Sequence, residues 1–388
     1  MFTGTFRYAA LKRVPFGRPA AEAVRDEVEL AGDRRVLVVS NRSLMREGKI
    51  VAGIVAALGE RHAGTFGVVP AHSPRGSVIA IAEAARASNA DLLLAVGGGS
   101  VIDACKAAQL ALWRGARTTD ELAALRSKVW IDASISTEPH DQRPRMVAVP
   151  TTLSAAEFTW YAGVTDETRG VKETYTNARV IPRAIILDPA VLLATPLDLF
   201  LASGIKALDH AVERITSRQA NPLSDAPALQ AIRLIARGLP KAKADPADLA
   251  ARQDCQLGAW LSVQGVLAGV GTGLSHAIGH VLGAHAHVPH GETSCVTLPA
   301  VLDWSAEEPG HRQALVSEAF GAPGQPAGAL IRNLVASLGL PTRLGDVGVD
   351  RSQFPAIALK VLDDRATPNS ARPVRSASDV EAVLERAA

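Results

Sequence analysis

The stretch Asp91-Leu-Leu-Leu-Ala-Val-Gly-Gly-Gly-Ser100 decides the fold, because it joins a buried strand to a glycine turn. Its continuous apolar run predicts a strand covered on both faces, as in a parallel sheet. A helix is predicted to follow, from Val101 to about Leu112. Ligands of open α/β sheets bind at such strand-to-helix turns, so this turn is also a candidate binding site.

The same alternation of strands and helices extends over the first half of the chain. Strands are predicted at 35–40, 65–69, 91–96 and 146–150, and helices at 44–58, 77–88 and 101–112. Alternating βα units of this length predict a parallel sheet with helices on both faces. From about Pro196 the periodicity is almost wholly helical. We therefore expect an α/β domain over 1–192 and an all-α domain over 193–388.

The glycine turn at 97–99 favours a bound phosphate. Glycines let backbone N–H groups approach phosphate oxygens, and the next helix directs its positive end at them. The turn lacks the G-x-G-x-x-G fingerprint, so a tight connection without a ligand is the alternative. Asp103, in the first turn of the helix, suits either a ligand contact or a structural role. Thr151 and Thr152 follow the next buried strand and favour a nucleotide across the same sheet edge.

Another strand end carries Ser40, Asn41 and Arg42, where the adenosine of a dinucleotide would lie. An acidic residue there would bind ribose hydroxyls and repel a 2′-phosphate. Asn41 is neutral and Arg42 is cationic, so the sequence is compatible with NADPH as well as NADH. The alternative is an ordinary surface turn.

A lysine and several histidines recur at helical spacing in the second half. Lys206 and His210 stand four residues apart, as do His276 and His280, and His290 follows ten residues later. Residues at i and i+4 share one face of a helix. If the segments meet, these five side chains line one polar pocket.

Lys206 determines which chemistry this pocket supports. With an aspartate at that position, the pattern would predict a divalent metal site of one Asp and three His. A protonated lysine has no lone pair to donate, and its charge repels a cation. Asp209 is a poor substitute, because it lies roughly 100° around the helix from His210. The sequence therefore predicts no tight metal site, although zinc on three histidines stays open if Lys206 swings away.

Composition limits the classes of partner. The chain has 388 residues, of which 47% are hydrophobic, enough for a well-buried core. Its 41 basic and 39 acidic residues nearly balance, so no nucleic-acid or membrane partner is expected. Cys105, Cys255 and Cys295 lie far apart in apolar or small-residue contexts, which favours buried free thiols and a cytoplasmic location.

Taken together, these motifs resemble the iron-containing alcohol dehydrogenases, and within them the maleylacetate reductase branch. The resemblance runs from Phe6 to Pro373 and so covers nearly the whole chain. It is carried by Ala95-Val-Gly-Gly-Gly-Ser-Val-Ile-Asp103, Ala148-Val-Pro-Thr-Thr-Leu-Ser-Ala-Ala-Glu157, Ser203-Gly-Ile-Lys-Ala-Leu-Asp-His210 and His276-x3-His280-x9-His290-Gly291. It implies an N-terminal α/β dinucleotide-binding domain and a helical catalytic domain, with the active site in the cleft between them.

The resemblance also implies roles for single residues. The expected contacts of NAD(P) are Gly97, Gly98, Gly99 and Ser100 at the pyrophosphate, and Thr151, Thr152 and Lys172 further along the cofactor. The histidine ligands of metal-dependent members correspond to His210, His276 and His290, with Lys206 at the aspartate position. His280 corresponds to an active-site histidine that is not a ligand.

Two features favour the maleylacetate reductase branch, whose members work without metal. The loop from Pro150 to Glu157 has the shorter length of that branch, and that branch also lacks the aspartate, usually with Asn in its place. This chain departs from it in Lys206, and in Leu-Ser-Ala-Ala at 153–156 where Tyr-Ala-Gly-Ser is typical. These departures leave the substrate open.

The expected function is a metal-independent NAD(P)H reductase of a small carbonyl compound, with or without a carboxylate. Lys206 would stabilise the forming alkoxide, His280 would donate the proton, and the other histidines would orient the substrate in a cationic pocket. The resemblance further suggests a homodimer. The alternatives are a metal-dependent alcohol dehydrogenase, a non-redox cyclase or lyase that uses Lys206 or bound NAD, and an inactive binding homologue.

Overall fold

The computed structural model describes residues 5–127, 142–286, 288–308 and 312–388, and of His290 it describes only the backbone. One compact unit spans Arg7–Thr195, and a second contains Pro196–Ala388. The boundary predicted near residue 192 lies slightly before the change from one unit to the other.

In the described residues, the first unit contains a parallel sheet of five strands in the order β2-β1-β3-β4-β7, and a separate antiparallel hairpin of β5 and β6. The strands are β1 Val36–Val39, β2 His62–Phe66, β3 Leu92–Gly97, β4 Arg145–Pro150, β5 Tyr161–Asp166, β6 Val171–Thr176 and β7 Ala184–Ile185. The helices are α1 Ala20–Ala31, α2 Arg42–Glu47, α3 Lys49–Leu58, α4 Arg75–Ala87, α5 Gly99–Arg114 and α6 Thr119–Ala124.

The three central strands form the core of this unit. Every residue of β1, β3 and β4 is buried, as their apolar runs predict for strands covered on both faces. Apolar residues of α1 and α3 belong to the same buried cluster. The pairing of β3 with β4 places Gly97 beside Pro150, so the glycine turn and Thr151 share one sheet edge.

Several predicted elements of this unit need correction. The predicted helix at 44–58 is two helices, because Gly48 adopts φ +80° and interrupts it. The strand predicted at 65–69 is β2, which begins three residues earlier in a segment of small and polar residues. The hairpin and α1 were not predicted. In the hairpin, β5 alternates partly exposed and buried residues and β6 begins with two exposed residues, so both strands lack the apolar run of the central strands.

The second unit is helical, and its described residues include no β-strand. Its helices are α7 Leu197–Thr216, α8 Pro222–Ala244, α9 Leu249–Val263, α10 Leu274–His285, α11 His290–Ser305, α12 Gln313–Ala319, α13 Ala327–Ser337, α14 Phe354–Leu362 and α15 Ala377–Arg386. The predicted fold class, an α/β unit followed by an all-α unit, is thus confirmed.

Two further sequence-based expectations concern burial. All three cysteines are buried and carry free thiols, as their apolar surroundings indicate. Within the ranges that the structure describes, no helix combines the length and the apolar character needed to cross a membrane.

Candidate active site

The glycine turn packs closely against the loop that follows β4. Gly98 is the N-cap of α5, and Gly99 is its first helical residue. A Cβ atom on Gly98 would lie 2.9 Å from Thr152 Cγ2, and one on Gly99 would lie 3.1 Å from Ser154 Oγ. A side chain on Gly98 would therefore force Thr152 to shift, and one on Gly99 would crowd Ser154, which explains the glycines.

The two threonines after β4 differ in their environment. The Thr151 N–H donates to the Gly97 carbonyl (3.1 Å), and the Thr151 carbonyl accepts from the Thr195 hydroxyl (2.5 Å). Thr152 Oγ1 is buried, and no described group forms a hydrogen bond with it. A buried hydroxyl without a partner is unfavourable, so this one suits a ligand at the turn.

This edge of the sheet fits the phosphates of a dinucleotide. The first N–H groups of an α-helix have no acceptor within the helix, and α5 has no side-chain cap. The glycines keep those N–H groups accessible, and the buried Thr152 hydroxyl offers a further donor. The residues that would hold the pyrophosphate of NAD(P) are therefore Gly97, Gly98, Gly99, Ser100 and Thr152.

The residues predicted near the adenosine have local partners. Ser40 is fully buried, and its hydroxyl donates to the Val96 carbonyl (2.9 Å). Asn41 is the N-cap of α2, where its Oδ1 accepts from the Leu44 N–H (2.9 Å). Both side chains thus stabilise the strand end, and their contact with a cofactor stays a prediction.

Three more predicted cofactor residues also contact protein groups. Ser100 Oγ accepts from the His72 N–H (3.0 Å). Asp103 Oδ2 accepts from the Gly163 N–H (3.0 Å), which ties α5 to β5. Lys172 lies across the hairpin against the same glycine. The structural role considered for Asp103 is therefore present, and a ligand contact of any of the three is untested.

The second unit contains a buried polar cluster, which we call the lysine–histidine cluster. Its members come from α7 and α10 and are Lys206, Asp209, His210, Glu213, His276 and His280. The four residues from α7 follow helical spacing and so share one face. The structure thereby brings four of the five predicted pocket residues together.

Lys206 has an unusual environment for a buried amine. Its residue is 3% exposed, its Nζ lies 3.7 Å from Asp209 Oδ2, and no described group accepts a hydrogen bond from it. Burial lowers the pKa of Lys206 below its ordinary value, although the charges of Asp209 and Glu213 oppose this effect. A buried amine with unused donors is costly, and such groups concentrate at functional sites.

Asp209 is held by two serines. Its Oδ2 accepts from the hydroxyls of Ser275 (2.9 Å) and Ser294 (2.5 Å), and its Oδ1 has no described donor. Burial, followed by the charge of Glu213, raises the pKa of Asp209 above its ordinary value, against the effect of Lys206. The carboxylate is therefore fixed beside the lysine by hydroxyls rather than by a direct hydrogen bond to it.

Glu213 links α7 to the start of α10 and orients His276. Its carboxylate accepts from the N–H groups of Gly273 and Ser275, both at 2.7 Å. Glu213 Oε2, which accepts from the Gly273 N–H, also lies 2.6 Å from His276 Nδ1, so a proton on Nδ1 satisfies both side chains. His276 Nε2 then bears the lone pair, and it is buried without a described partner. Burial, and next the charge of Lys206, hold the pKa of His276 well below its ordinary value.

His210 stacks on His276, with ring centroids 4.7 Å apart and an interplanar angle of 25°. Burial, and next repulsion from His276, hold the pKa of His210 well below its ordinary value. Both imidazoles are therefore neutral near pH 7. The expectation of a pocket made cationic by its histidines is wrong for these two, because burial and nearby positive charge disfavour their protonation.

His280 is more accessible and has a carboxylate partner. Its side chain is 32% exposed, and its Nδ1 lies 3.0 Å from Asp364 Oδ2. Although burial alone would raise the pKa of Asp364, the hydrogen bond and charge of His280 lower it below its ordinary value. A carboxylate that orients an imidazole is a common arrangement for a histidine that transfers protons.

His290 is the remaining predicted pocket residue. It is the first residue of α11, and its side chain lies outside the described residues. Its place in the pocket therefore stays a prediction.

Ligand atoms of Asp209, Glu213 and His276 lie within 4.8 Å of one another, a spacing that one metal ion could bridge. Protein donors already bind one oxygen of Asp209 and both oxygens of Glu213. Lys206 Nζ is 3.7 Å from the bonded Asp209 oxygen and would repel a cation. The donors fit a divalent ion only if these hydrogen bonds are lost and Lys206 moves. The group does not include His210, but it does include Asp209, which the helix geometry had marked as a poor substitute for an aspartate at position 206.

Two residues of the site were not assigned from the sequence. Glu213 stands seven residues after Lys206, so helical spacing could have placed it on the pocket face. Asp364 is 84 residues from its partner His280. No local pattern connects these two residues, and only the tertiary structure reveals the pair.

Both halves of the chain match profiles of known families. Residues 12–189 match the family described as "Iron-containing alcohol dehydrogenase". Residues 200–388 match the one described as "Fe-containing alcohol dehydrogenase family, C-terminal".

Individual proteins are similar over nearly the whole chain. Maleylacetate reductase of Burkholderia cepacia is 33% identical over 347 residues, which cover 88% of this chain and 87% of that protein. Lactaldehyde reductase of Escherichia coli (strain K12) is 31% identical over 370 residues, covering 92% and 93%. The crystal structure of maleylacetate reductase from Rhizobium sp. strain MTP-10005 superposes with a TM-score of 0.82 at 28% identity, covering 100% of this chain and 98% of that one.

Proposed function

Because the chain belongs to the iron-containing alcohol dehydrogenase family, whose members are NAD(P)-dependent oxidoreductases, we propose that it reduces a small carbonyl compound without a metal ion. The observation that carries this proposal is the buried Lys206 amine, which has no described hydrogen-bond acceptor. It stands where the resemblance places a metal-binding aspartate. In this proposal, the ammonium of Lys206 takes the role of the metal cation, not the role of the aspartate that would bind that cation.

The cofactor is proposed to lie on the α/β unit. Its pyrophosphate would be held by the N–H groups of the glycine turn and by Thr152, with Thr151 and Lys172 further along. Ser40, Asn41 and Asp103 keep their predicted positions near the cofactor as part of the proposal. The bound dihydronicotinamide supplies the hydride.

Lys206 is proposed to bind the carbonyl oxygen of the substrate. A fixed ammonium stabilises the negative charge that develops on this oxygen during reduction. Asp209 holds the amine in place from 3.7 Å without using one of its donors, so all three N–H groups stay available to the substrate. Burial strengthens the interaction, because the surrounding dielectric is low.

His280 is proposed to donate the proton to the forming alkoxide. Its Nδ1 lies 3.0 Å from Asp364 Oδ2, which orients the ring. His276 and His210 are neutral, and His276 presents a lone pair at Nε2. We propose that they and His290 accept hydrogen bonds from the substrate and orient it.

The substrate class follows from the site and from the relatives. The named relatives reduce maleylacetate, a carboxylate-bearing ketone, and lactaldehyde, a small aldehyde. A single buried ammonium suits one oxyanion or one carboxylate. We therefore propose small keto acids and hydroxyaldehydes as the first compounds to test, and a homodimer as the working assembly.

The deciding experiment measures keto-acid- or aldehyde-dependent NADH and NADPH oxidation by metal-stripped wild type and by Lys206→Met. Wild-type activity that survives chelation, with a loss of about 10²–10³-fold in kcat for the variant, supports the proposal. The matched control is Lys172→Met, which removes a lysine from the hairpin and should raise the KM for cofactor while leaving kcat largely intact.

Other outcomes favour the alternatives. Activity that requires added Zn²⁺ or Fe²⁺ would point to a metal-dependent dehydrogenase, which the spacing of Asp209, Glu213 and His276 favours. Copurified NAD with turnover but no net redox change would indicate a non-redox enzyme. A wild type without any nucleotide turnover would indicate a binding homologue.

A further inference from the structure

Lys106 is a buried charged residue to which the proposed chemistry assigns no role. It lies on α5, three residues after Asp103, and its side chain is fully buried. Its amine contacts the segment that connects β4 to β5. We call this segment, residues 151–160, the β4–β5 loop.

The ammonium of Lys106 binds the end of this loop at three points. It donates to the Ala156 carbonyl (2.5 Å), to Thr159 Oγ1 (3.0 Å) and to the carbonyl of Tyr161, the first residue of β5 (2.9 Å). An ammonium has three N–H donors, so all of them are used. Hydrogen bonds from a charged donor are stronger than those between neutral groups, so the loop end is held firmly.

The beginning of the same loop forms the proposed cofactor site. Thr152 and Ser154 are the side chains that a Cβ atom on Gly98 or Gly99 would meet. The residue that follows, Ala155, has φ +57°, a left-handed conformation that is unfavourable for a residue other than glycine. Such strain persists only where neighbouring contacts impose it. The adjacent contact is the hydrogen bond from Lys106 to the Ala156 carbonyl. We call the three hydrogen bonds from Lys106 to Ala156, Thr159 and Tyr161 the Lys106 clamp.

Two carboxylates accompany the buried ammonium. Asp103 Oδ1 lies 3.8 Å from Lys106 Nζ, while Asp103 Oδ2 accepts from the Gly163 N–H on β5. Glu157 is also buried, and its charge and that of Asp103 oppose the lowering of the Lys106 pKa by burial. The first two turns of α5 are thus joined to both the loop and the following strand.

We propose that Lys106 is a positioning residue for the nucleotide. It fixes the β4–β5 loop so that Thr152 and Ser154 stand against the glycine turn in the geometry that the pyrophosphate needs. It acts through the loop and does not touch the cofactor. The inference rests on the proposed cofactor binding at this edge, and it extends that proposal to the residue that preorganises the site.

The test compares wild type with Lys106→Met, which keeps the length of the side chain and removes its donors. Fluorescence titration with NADH and NADPH should show Kd raised by roughly tenfold or more, which corresponds to about 1.4 kcal/mol. The KM for the carbonyl substrate and kcat at saturating cofactor should change little. Hydrogen exchange of the backbone amides at 152–161 should become faster in the free protein.

A second variant and a control keep the test decisive. Thr159→Val removes one of the three acceptors without introducing a cavity, and it should raise Kd by a smaller factor, which tests the clamp even if Lys106→Met does not fold. Gln109→Met changes another buried polar residue of α5, whose amide donates to the Arg179 carbonyl instead. Its Kd and the exchange at 152–161 should match wild type.

The failure of each proposal has a separate signature. A wild type that binds no NADH or NADPH refutes the proposed function, and the role of Lys106 with it. If wild type binds nucleotide and both clamp variants bind it equally well, with unchanged exchange in the loop, only the role of Lys106 is refuted. If Kd and the substrate KM rose and kcat fell by similar factors, the variants would be generally unfolded. That result would also contradict a positioning role.

Discussion

Two buried lysines, one in each unit, occupy opposite environments. Lys106 on α5 donates to three oxygens, all within 3.0 Å. Lys206 on α7 has one carboxylate at 3.7 Å and no described acceptor for any of its donors. Burial lowers the pKa of both amines. The same chemical group is therefore satisfied in one place and left unsatisfied in the other.

The difference separates structural stabilisation from readiness for a ligand. A satisfied buried donor holds its acceptors and leaves nothing for a substrate, whereas an unsatisfied one keeps the full cost of desolvation until a ligand arrives. Lys106 therefore stabilises the structure of the first unit, whereas Lys206 is the amine that we propose for the chemistry of the second.

The most direct test of the difference between the two lysines is to replace each of them with methionine. Lys106→Met should lower the free energy of unfolding by about 3–5 kcal/mol, because it leaves a buried charge partner and several acceptors unpaired. Lys206→Met should lower it by less, because it removes an amine without hydrogen bonds and leaves only the charge interaction with Asp209 at 3.7 Å unpaired. Denaturant unfolding of both variants, fitted with a common m-value, measures the contrast. Equal destabilisation by the two substitutions would contradict it.

The buried carboxylate of Glu157, whose charge interacts with Lys106, should make the free energy of unfolding depend on pH. Burial raises the pKa of Glu157 to about 7 from 4.5, so the folded state holds this proton more tightly than the unfolded state does. The stabilisation is complete below about pH 4.5 and is lost as pH rises to 7, by about 3 kcal/mol.

Glu157→Gln provides the matched comparison for this pH effect. The variant should remove the decline between pH 4.5 and 7 and be the more stable protein at neutral pH. Urea unfolding at several pH values tests this directly. Identical pH profiles for wild type and variant would show that Glu157 does not titrate in this window.

The serines that bind Asp209 provide a second test, near Lys206. Ser294→Ala removes the 2.5 Å hydrogen bond to Asp209 Oδ2 and should lower the free energy of unfolding by about 1.5–2 kcal/mol, since the acceptor is a buried carboxylate. Ser305→Ala is the control, because this buried serine on the same helix donates to the backbone carbonyls of Val301 (2.7 Å) and Leu302 (3.3 Å) rather than to a carboxylate. A loss for Ser294→Ala no larger than for Ser305→Ala would mean that Asp209 does not depend on it.

The smallest effect concerns the strain beside the Lys106 clamp. Ala155→Gly should relieve the left-handed backbone and stabilise the protein by about 1 kcal/mol or less, because the added freedom of glycine in the unfolded chain offsets part of the gain. Ala156→Gly, at the next position, should destabilise it. Thermal unfolding of the two variants gives shifts of opposite sign if φ at Ala155 is strained.

Much of the fold could be predicted, because its signals are local. The apolar runs of β1, β3 and β4 are covered on both faces, as their sequences indicate. The hairpin of β5 and β6 escaped prediction, because half-exposed strands carry a weaker signal than a continuous apolar run. Gly48 interrupts a predicted helix, since the positive φ that it adopts cannot be read from periodicity.

The candidate site could be predicted only in part. Helical spacing placed Lys206 with His210, and His276 with His280, on shared faces. The charge states could not be foreseen, because the low pKa values of His210 and His276 depend on burial and on neighbours from other helices. The pairing of His280 with Asp364 likewise joins segments with no local relation.

The sequence alone indicates the central strands and the helices that follow them, the glycine turn at a sheet edge and the lysine in place of an expected aspartate. These features depend on periodicity and residue type along the chain. The tertiary structure alone decided which oxygens meet each buried lysine. The acceptors of Lys106 lie 50 or more residues from it along the chain. Ser275 and Ser294, which hold Asp209 beside Lys206, lie 66 and 85 residues from Asp209. Hydrogen bonding and desolvation depend on distances in space, so packing determines which of the two amines is satisfied.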